Sequence, residues 1–538
     1  MAQAAAPRVP LGATLGMREK LFLFCTLILC LFLTALDQSI VATALPHIAA
    51  DLGQFDLAPW LITAYLLSST ITIPIAGKLG DMFGRKYFLL GGILLFVSAS
   101  AACGAAPTML FLIASRGIQG AGAGIIIAGV FGGFGDLLTP MERAKYFALS
   151  VGGFTFAALA GPALGGFFAD GPGWRWCFYV NLPIGIIASS VITWRLPSGG
   201  GAGGRPSQID FLGAGFLSGA TIAFLLAIEW GGRAHGWLGG PTVGLVAAAL
   251  TLGAAFVWQE RRHPYAIIPL ELFRNVPFTQ AIAITIVQGG GVFAASQFLP
   301  TFVQTSLGGS ATASGLVITV QAVGQLGSSI LTGQLIPRTG KFKYQMVVGG
   351  AMMAVAALFM SMLQVGASTW HVVLLTSVMG IGGGLVFPVT QVVVQAAVQQ
   401  DQQGIAGSTR QFFNQIAQTL GAAMFGLLLT AGYAGAFAEH SAPFAAALPA
   451  SVLQQFQDPT IALEPAKFAE LTAQVSKLPN GASILEQAQR AQRDSVADAT
   501  DGMYRIVLGA ALVILVIAIL FREFVLRRTF DVSEPDIG

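Results

Sequence analysis

The sequence predicts an all-α polytopic membrane protein, and three observations carry that reading. Only 10% of its 538 residues are charged, where a soluble globular chain carries nearer 25%. Hydrophobic residues make up 54%, with a mean hydropathy of +0.72. The few charges also avoid long stretches of chain, many of them exceeding the roughly 20 residues that cross a bilayer as a helix.

Several function classes fall with the same numbers. A net charge of +3 without a dense basic patch leaves nucleic acid no electrostatic footprint. Cys25, Cys30, Cys103 and Cys177 sit in or beside apolar runs without metal or redox spacing, and His47, His235, His263, His371 and His440 form no metal pair. No Gly-x-x-x-x-Gly-Lys-Ser/Thr phosphate loop is present, which disfavours a built-in ATP motor. No serine, histidine and acid cluster suggests an enzyme.

Apolar segments long enough to span appear at roughly 21–45, 58–78, 87–106, 109–134, 146–169, 176–195, 209–229, 240–258, 277–303, 312–335, 345–365, 370–397, 405–433 and 503–521, fourteen in all. The first follows a weakly basic start, lacks a cleavage-like end and leads directly into further spans, so it reads as a helix and not a signal peptide. With both termini on the inner side, 20 of the 28 basic residues fall in inner connections, as the positive-inside rule demands. Arg410 is counted with those connections, which leaves Arg116 as the one base within a span. The Gly-rich stretch 198–206 is a flexible inner linker. Residues 434–502 form a polar Ala/Gln-rich outer segment, with short surface helices expected at 461–478 and 483–499. A disordered tether and a folded cap or docking element both remain open for it.

Asp37 lies well inside the first span, where an ionised carboxylate costs about 2.5–3.5 kcal/mol to insert. It must face a polar cavity, pair or be protonated. A carboxyl group whose access alternates can take up and release a proton; a structural partner for a buried base is the other, compatible reading. Arg116 lies near the start of the fourth span with Gln119 on nearly the same face, and its guanidinium needs a counter-charge, water or carbonyls. It either helps set the protonation of Asp37 or serves as packing glue. In the inner connection after the second span, Gly77, Gly80, Asp81, Gly84, Arg85 and Lys86 crowd a very short turn. Positive-inside anchoring explains Arg85 and Lys86 but not Asp81, which suggests a charge latch closing that side. Gly161, Pro162, Gly165 and Gly166 loosen the fifth span and let a neighbour approach closely, suiting a bend or gate seal.

Later spans supply amides. Gln288, Gln297, Gln304, Gln321, Gln325, Gln391, Gln395, Gln411, Asn414, Gln415 and Gln418, with Gln38 beside Asp37, are costly against lipid and so are expected to line an interior. Residues 411, 414, 415 and 418 share one helical face. With 38 phenylalanines, the interior would be amphipathic and aromatic, suited to bulky apolar or cationic solutes. The chain also echoes itself. Gly77 to Tyr87 and Gly333 to Tyr344 repeat glycine, glycine seven later, a base and a tyrosine, and each precedes a glycine-dense span: Gly117, Gly120, Gly122 and Gly124, then Gly380, Gly382, Gly383 and Gly384. Such symmetry marks transporters built from two related bundles.

These residues together resemble the major facilitator superfamily, most closely its fourteen-span drug:proton antiporters. Leu36 to Pro46 resembles the first-span motif, Gly77 to Lys86 the inner-loop signature, Arg116 to Gly120 the fourth-span motif, Gly161 to Gly166 the antiporter motif, and Trp174 to Pro183 completes the set. Ala157 replaces the glycine often found four residues before Gly161. The resemblance implies a six-helix bundle over 1–197, an inserted helix pair with linkers over 198–274, a second six-helix bundle over 275–522 that includes the outer segment, and a cytoplasmic tail over 523–538. It implies proton coupling at Asp37 and Arg116 without any cofactor, and export across the cytoplasmic (inner) membrane of hydrophobic or cationic amphipathic compounds such as drugs. Some relatives work with a periplasmic adaptor and an outer-membrane channel. A narrow exporter of a metabolite, siderophore or amino acid is the rival within transport. A non-transporting receptor or scaffold is the rival of another class, disfavoured by two costly intramembrane charges.

Overall fold

The computed structural model describes residues 11–197, 208–232, 236–363, 366–458, 461, 465–527 and 529. Arg8, Arg205, Arg233, Glu464 and Arg528, with the Gly-rich stretch, lie outside the described residues. Among the described residues fourteen helices are long and apolar enough to cross a membrane: α1 Met17–Leu52, α2 Phe55–Phe83, α3 Arg85–Gly104, α4 Met109–Leu137, α5 Pro140–Asp170, α6 Trp176–Arg195, α7 Phe211–Gly231, α8 Gly240–Glu260, α9 Val276–Ser306, α10 Thr312–Thr339, α11 Lys343–Met360, α12 Thr369–Ala396, α13 Gln403–Ser441 and α14 Gly481–Ile519. The protein is an all-α polytopic membrane protein with fourteen spans.

Local chemistry sets the helix ends. Thr139 and Glu142 form a reciprocal capping box ahead of α5, with Pro140 in its first turn. Thr108 caps α4 by accepting from the Phe111 amide. Between α2 and α3 the chain turns on one residue, Gly84, at φ +98°, a backbone conformation that a side chain would strain. α9 widens into π-helical turns over Gln288–Phe293 and Phe302–Ser306, so the long apolar run there is one irregular helix.

The helices pack in two groups. α1, α2, α3, α5 and α6 gather around α4 and one another; α9, α10, α11, α13 and α14 pack likewise with α12. α7 and α8 pair with each other, and α7 leans on α2 and α13. The groups meet where α2 and α4 face α13, and where α5 faces α10 and α12. We call the end carrying Gly84, Lys86, Lys341 and Lys343 the basic face.

The internal echo is visible in the packing. In α4, Gly120 and Gly124 lie against the α2 backbone while Gly122 lies against α3 at Phe96. In α12, Gly380 and Gly384 lie against the α10 backbone while Gly382 lies against α11 at Gly349 and Met353. The same i, i+2, i+4 set therefore seats two neighbours in each half, each at a distance that leaves no room for a Cβ.

Segment 434–502 departs from expectation in part, since the helix expected over 461–478 is present as Pro465–Ser476. α13 continues to Ser441, and the helix expected over 483–499 is the opening of α14, continuous with the last span. Helices Ala450–Phe456 and Pro465–Ser476 lie between them. Tyr433 donates to the Phe456 carbonyl (2.6 Å), its ring stacks on Phe437, and Phe444, Val452, Leu471, Val475 and Ile484 are buried alongside. These apolar contacts make the segment a folded cap. Its polar composition hid them, because the burying side chains are spread singly among alanine and glutamine.

Candidate functional site

Asp37 lies at the middle of a buried polar cluster formed by α1, α3, α4 and α6. Arg116 Nη1 donates to its Oδ2 (2.5 Å), while Gln119 Nε2 (2.8 Å) and Asn181 Nδ2 (2.7 Å) donate to its Oδ1. Arg116 also donates from Nη1 to Gln119 Oε1 (2.8 Å) and from Nε to the Leu61 carbonyl (3.1 Å), and its guanidinium lies 4.2 Å from the centre of the Tyr65 ring. Ser100 Oγ accepts from Gln119 (3.1 Å) and Asn181 (3.0 Å) and donates to the Phe178 carbonyl (2.9 Å). Asp37 is 0% exposed and Arg116 is 1%.

Every one of these contacts to Asp37 is a donor aimed at a carboxylate, the form that only accepts. A proton on Asp37 would confront a donor and weaken the Arg116 ion pair, leaving a buried guanidinium short of its counter-charge. Removing one partner of such a buried pair costs about 3–5 kcal/mol, so the pair fastens α1 to α4. Ser100 was not singled out from sequence, and Asn181 entered only within the stretch Trp174 to Pro183, without a role of its own. Asn181 lies inside the apolar run 176–195, and that in-span amide was the available signal.

Gly161 and Gly165 seat α5 on α1: a Cβ on the first would overlap Ser39, and on the second the Ile40 carbonyl and Thr43. Both contacts lie within two turns of Asp37. Pro162 is exposed, and Gly166 faces open space.

At the basic face, Asp81 Oδ1 accepts from Arg85 Nη2 (2.6 Å) and Nε (3.2 Å), while its Oδ2 accepts from the Ile405 amide (2.9 Å). That amide belongs to the first turn of α13 in the other half, where a helix leaves unpaired N–H groups and favours negative charge. Arg85 Nη1 lies 3.2 Å from Asp136 Oδ2. Gly77 packs on Ser408 and Gly80 beside the Arg85 stem. Lys86 Nζ donates to the Thr193 carbonyl within the first half (2.8 Å). The seam is tied further by Thr70 to Gln415 (2.9 Å), Arg143 to Gln395 (2.7 Å), Gln395 to the Phe131 carbonyl (2.7 Å) and Gln400 to the Gly135 carbonyl (3.0 Å). The basic face is closed.

The amides scatter. Gln288 is buried and donates to the Gly383 carbonyl (3.2 Å), and Gln321 donates to Ser296 (2.9 Å). Gln391 accepts from Arg410 (2.8 Å). Asn414 and Gln418 lie against Gly289, while Gln38, Gln325 and Gln411 are half-buried and Gln297 is exposed. One charge corrects the sequence reading. Arg410 is wholly buried within α13, so Arg116 is not alone among in-span bases. Asp136, 3% exposed at the end of α4, belongs with Arg85 at the basic face, at the other end of that helix from Arg116. Among the described residues no group of three or more His, Cys, Asp or Glu side chains could hold a metal ion.

A family model described as the Major Facilitator Superfamily matches residues 27–211, 211–422 and 281–526. The chain is 36% identical over 436 residues to the Multidrug transporter protein MdtP of Bacillus subtilis (strain 168), covering 81% of this chain and 80% of that one. It is 36% identical to an uncharacterized MFS-type transporter, Rv1877, of Mycobacterium tuberculosis (strain ATCC 25618 / H37Rv), across 78% of this chain and 60% of that longer protein. It is 32% identical to Multidrug resistance protein 3 of Bacillus subtilis (strain 168), covering 76% and 79%. Among solved structures, the human organic anion transporter MFSD10 aligns with a TM-score of 0.56 at 14% identity, over 91% of this chain and 99% of that one. The proton:xylose symporter XylE aligns with a TM-score of 0.53 at 13% identity, over 91% and 96%. At such identities the likeness is one of fold.

Proposed function

Because the chain belongs to the major facilitator superfamily, and to its multidrug-efflux-type transporters of small amphipathic molecules, we propose that it is a fourteen-span drug:proton antiporter. It exports hydrophobic or amphipathic compounds across the cytoplasmic membrane, with both termini and the basic face inside. The observation that carries this reading is the wholly buried Asp37 held by Arg116, Gln119 and Asn181.

The packing supports the following cycle. With the basic face closed, Asp37 is ionised and satisfied. A proton arriving from the opposite side competes with Arg116 for the carboxylate and loosens α1 from α4 and α6. α5 is seated on α1 through Gly161, which packs on Ser39, and Gly165, which packs on Ile40 and Thr43, two, three and six residues beyond Asp37, and α5 in turn forms the seam with α10. A shift of α1 is thereby passed to the seam through contiguous close-packed helices. Separation of the halves at the basic face breaks the bond from Ile405 to Asp81, opening the inner side, where Asp37 releases its proton and solute enters.

The test is reconstitution in liposomes with an imposed pH gradient, comparing wild type with Asp37→Asn on a panel of dyes and cations. Wild type is expected to accumulate solute uphill and the variant not to. Equal uphill transport by a well-folded variant removes Asp37 from coupling; no transport of any solute by wild type removes the efflux reading.

A further inference from the structure

Arg143 and Arg410 are buried on opposite sides of the seam, 2% and 0% exposed. Neither has a carboxylate within ion-pair distance among the described residues. The acids nearest Arg143 are engaged elsewhere: Asp136 faces Arg85 (3.2 Å) and Glu142 faces Lys20 (3.4 Å). Arg410 is held by neutral groups only. It donates to Gln391 Oε1 (2.8 Å), Thr390 Oγ1 (3.0 Å from Nη2) and the Phe387 carbonyl (3.3 Å), and it lies 4.5 Å from the centre of the Phe387 ring.

Both arginines converge on one stretch of α12. Gln391 holds Arg410, and Gln395, one turn further, accepts from Arg143 Nη1 (2.7 Å). A Cβ built on Gly407 would meet the Nε2 atoms of both glutamines, so both amide nitrogens face Gly407. Three buried donors of these residues lack a partner among the described residues: Arg143 Nε, Arg143 Nη2 and Gln391 Nε2. Nε and Nη2 form the side of a guanidinium that grips a carboxylate with two parallel hydrogen bonds. Unmatched buried charge and unpaired donors are costly, and an anion would satisfy both at once.

We infer that the seam holds a carboxylate-binding site, with the Arg143 fork gripping the group, Gln391 Nε2 donating to it and Arg410 adding charge. This rests on the export reading and narrows it: composition pointed to hydrophobic or cationic solutes, whereas this site takes the acidic end of an amphipathic one. Arg143 belongs to the first half and Gln391, Gln395 and Arg410 to the second. Opening the basic face parts them and admits the acid, and closing brings both sides onto it.

Two xanthene dyes of matched frame and opposite charge test this, carboxyfluorescein and rhodamine 6G. Binding to the full-length protein in phosphatidylcholine nanodiscs is read by fluorescence polarisation, and transport is followed in proteoliposomes. Wild type is expected to bind carboxyfluorescein the tighter. Arg143→Lys, which keeps charge and loses the fork, should weaken that binding at least tenfold and leave rhodamine 6G unaffected. Gln391→Glu supplies an internal carboxylate, so it should fold with raised thermal stability and also lose carboxyfluorescein. Unchanged carboxyfluorescein affinity in both variants overturns the site. Binding without transport of either dye upholds the site and overturns export; rhodamine 6G transport without carboxyfluorescein binding does the reverse. Replacing half the lipid by phosphatidylglycerol should change nothing; if it abolishes carboxyfluorescein binding, the site belongs to a lipid headgroup and the solute assignment fails.

Discussion

Replacing Asp81 by alanine removes a bond between the two halves without touching the Asp37 cluster. Its Oδ2 is the acceptor for the Ile405 amide at 2.9 Å, across the seam and at the positive end of α13. A hydrogen bond to a charged group contributes about 1.5–3 kcal/mol. At 1.4 kcal/mol per factor of ten, its loss should shift the closed-to-open ratio of the basic face about 10- to 150-fold toward open. Arg85 keeps Asp136 at 3.2 Å, so the variant does not strand a buried guanidinium. The shift can be read by electron–electron distance spectroscopy between spin labels at Tyr87 and Tyr344, exposed positions at the starts of α3 and α11. Cys25, the one exposed cysteine, would be replaced by serine. Wild type should show a short-distance population that falls in Asp81→Ala. Asp136→Asn alters an ion pair inside the first half and should move the distribution less. If Asp81→Ala leaves the distances unchanged, the latch does not hold the face shut.

Other substitutions probe the remaining contacts. Gly161→Ala places a methyl group against Ser39, overpacking that should cost about 1–3 kcal/mol and reduce export of every solute; Gly166→Ala enters open space and should be silent in the same assay. Asn181→Leu removes one of the donors to Asp37 and should lower stability by about 1.5–3 kcal/mol, seen as earlier thermal aggregation, with pH-driven transport impaired. Phe456→Ala empties a fully buried position of the cap. It should cost about 3–5 kcal/mol locally and expose the chain between Ser441 and Gly481 to limited proteolysis that wild type resists.

The spans were legible because charge scarcity and basic-residue asymmetry are properties of the chain itself. The pairing of Asp37 with Arg116 was half legible: two intramembrane charges of opposite sign invite each other, but the helices that bring Ser100 and Asn181 beside them are set by packing between distant segments. Arg410 was misread for a physical reason. A base near a span end fits the positive-inside pattern whether it faces water or is buried, and only the neighbouring Gln391 and Phe387 show which. The cap was hidden similarly, since its composition is polar while Tyr433, Phe437 and Phe456 form a small core of their own.

Proton flux during export bears most directly on Asp37. Proteoliposomes loaded with a pH-sensitive dye and given an acidic interior or exterior should show the pH gradient collapsing faster once wild type is supplied with solute. Asp37→Asn should bind the same solute without moving protons. Proton movement equal to wild type in a folded Asp37→Asn protein would contradict the proposal that this carboxylate carries the coupled proton.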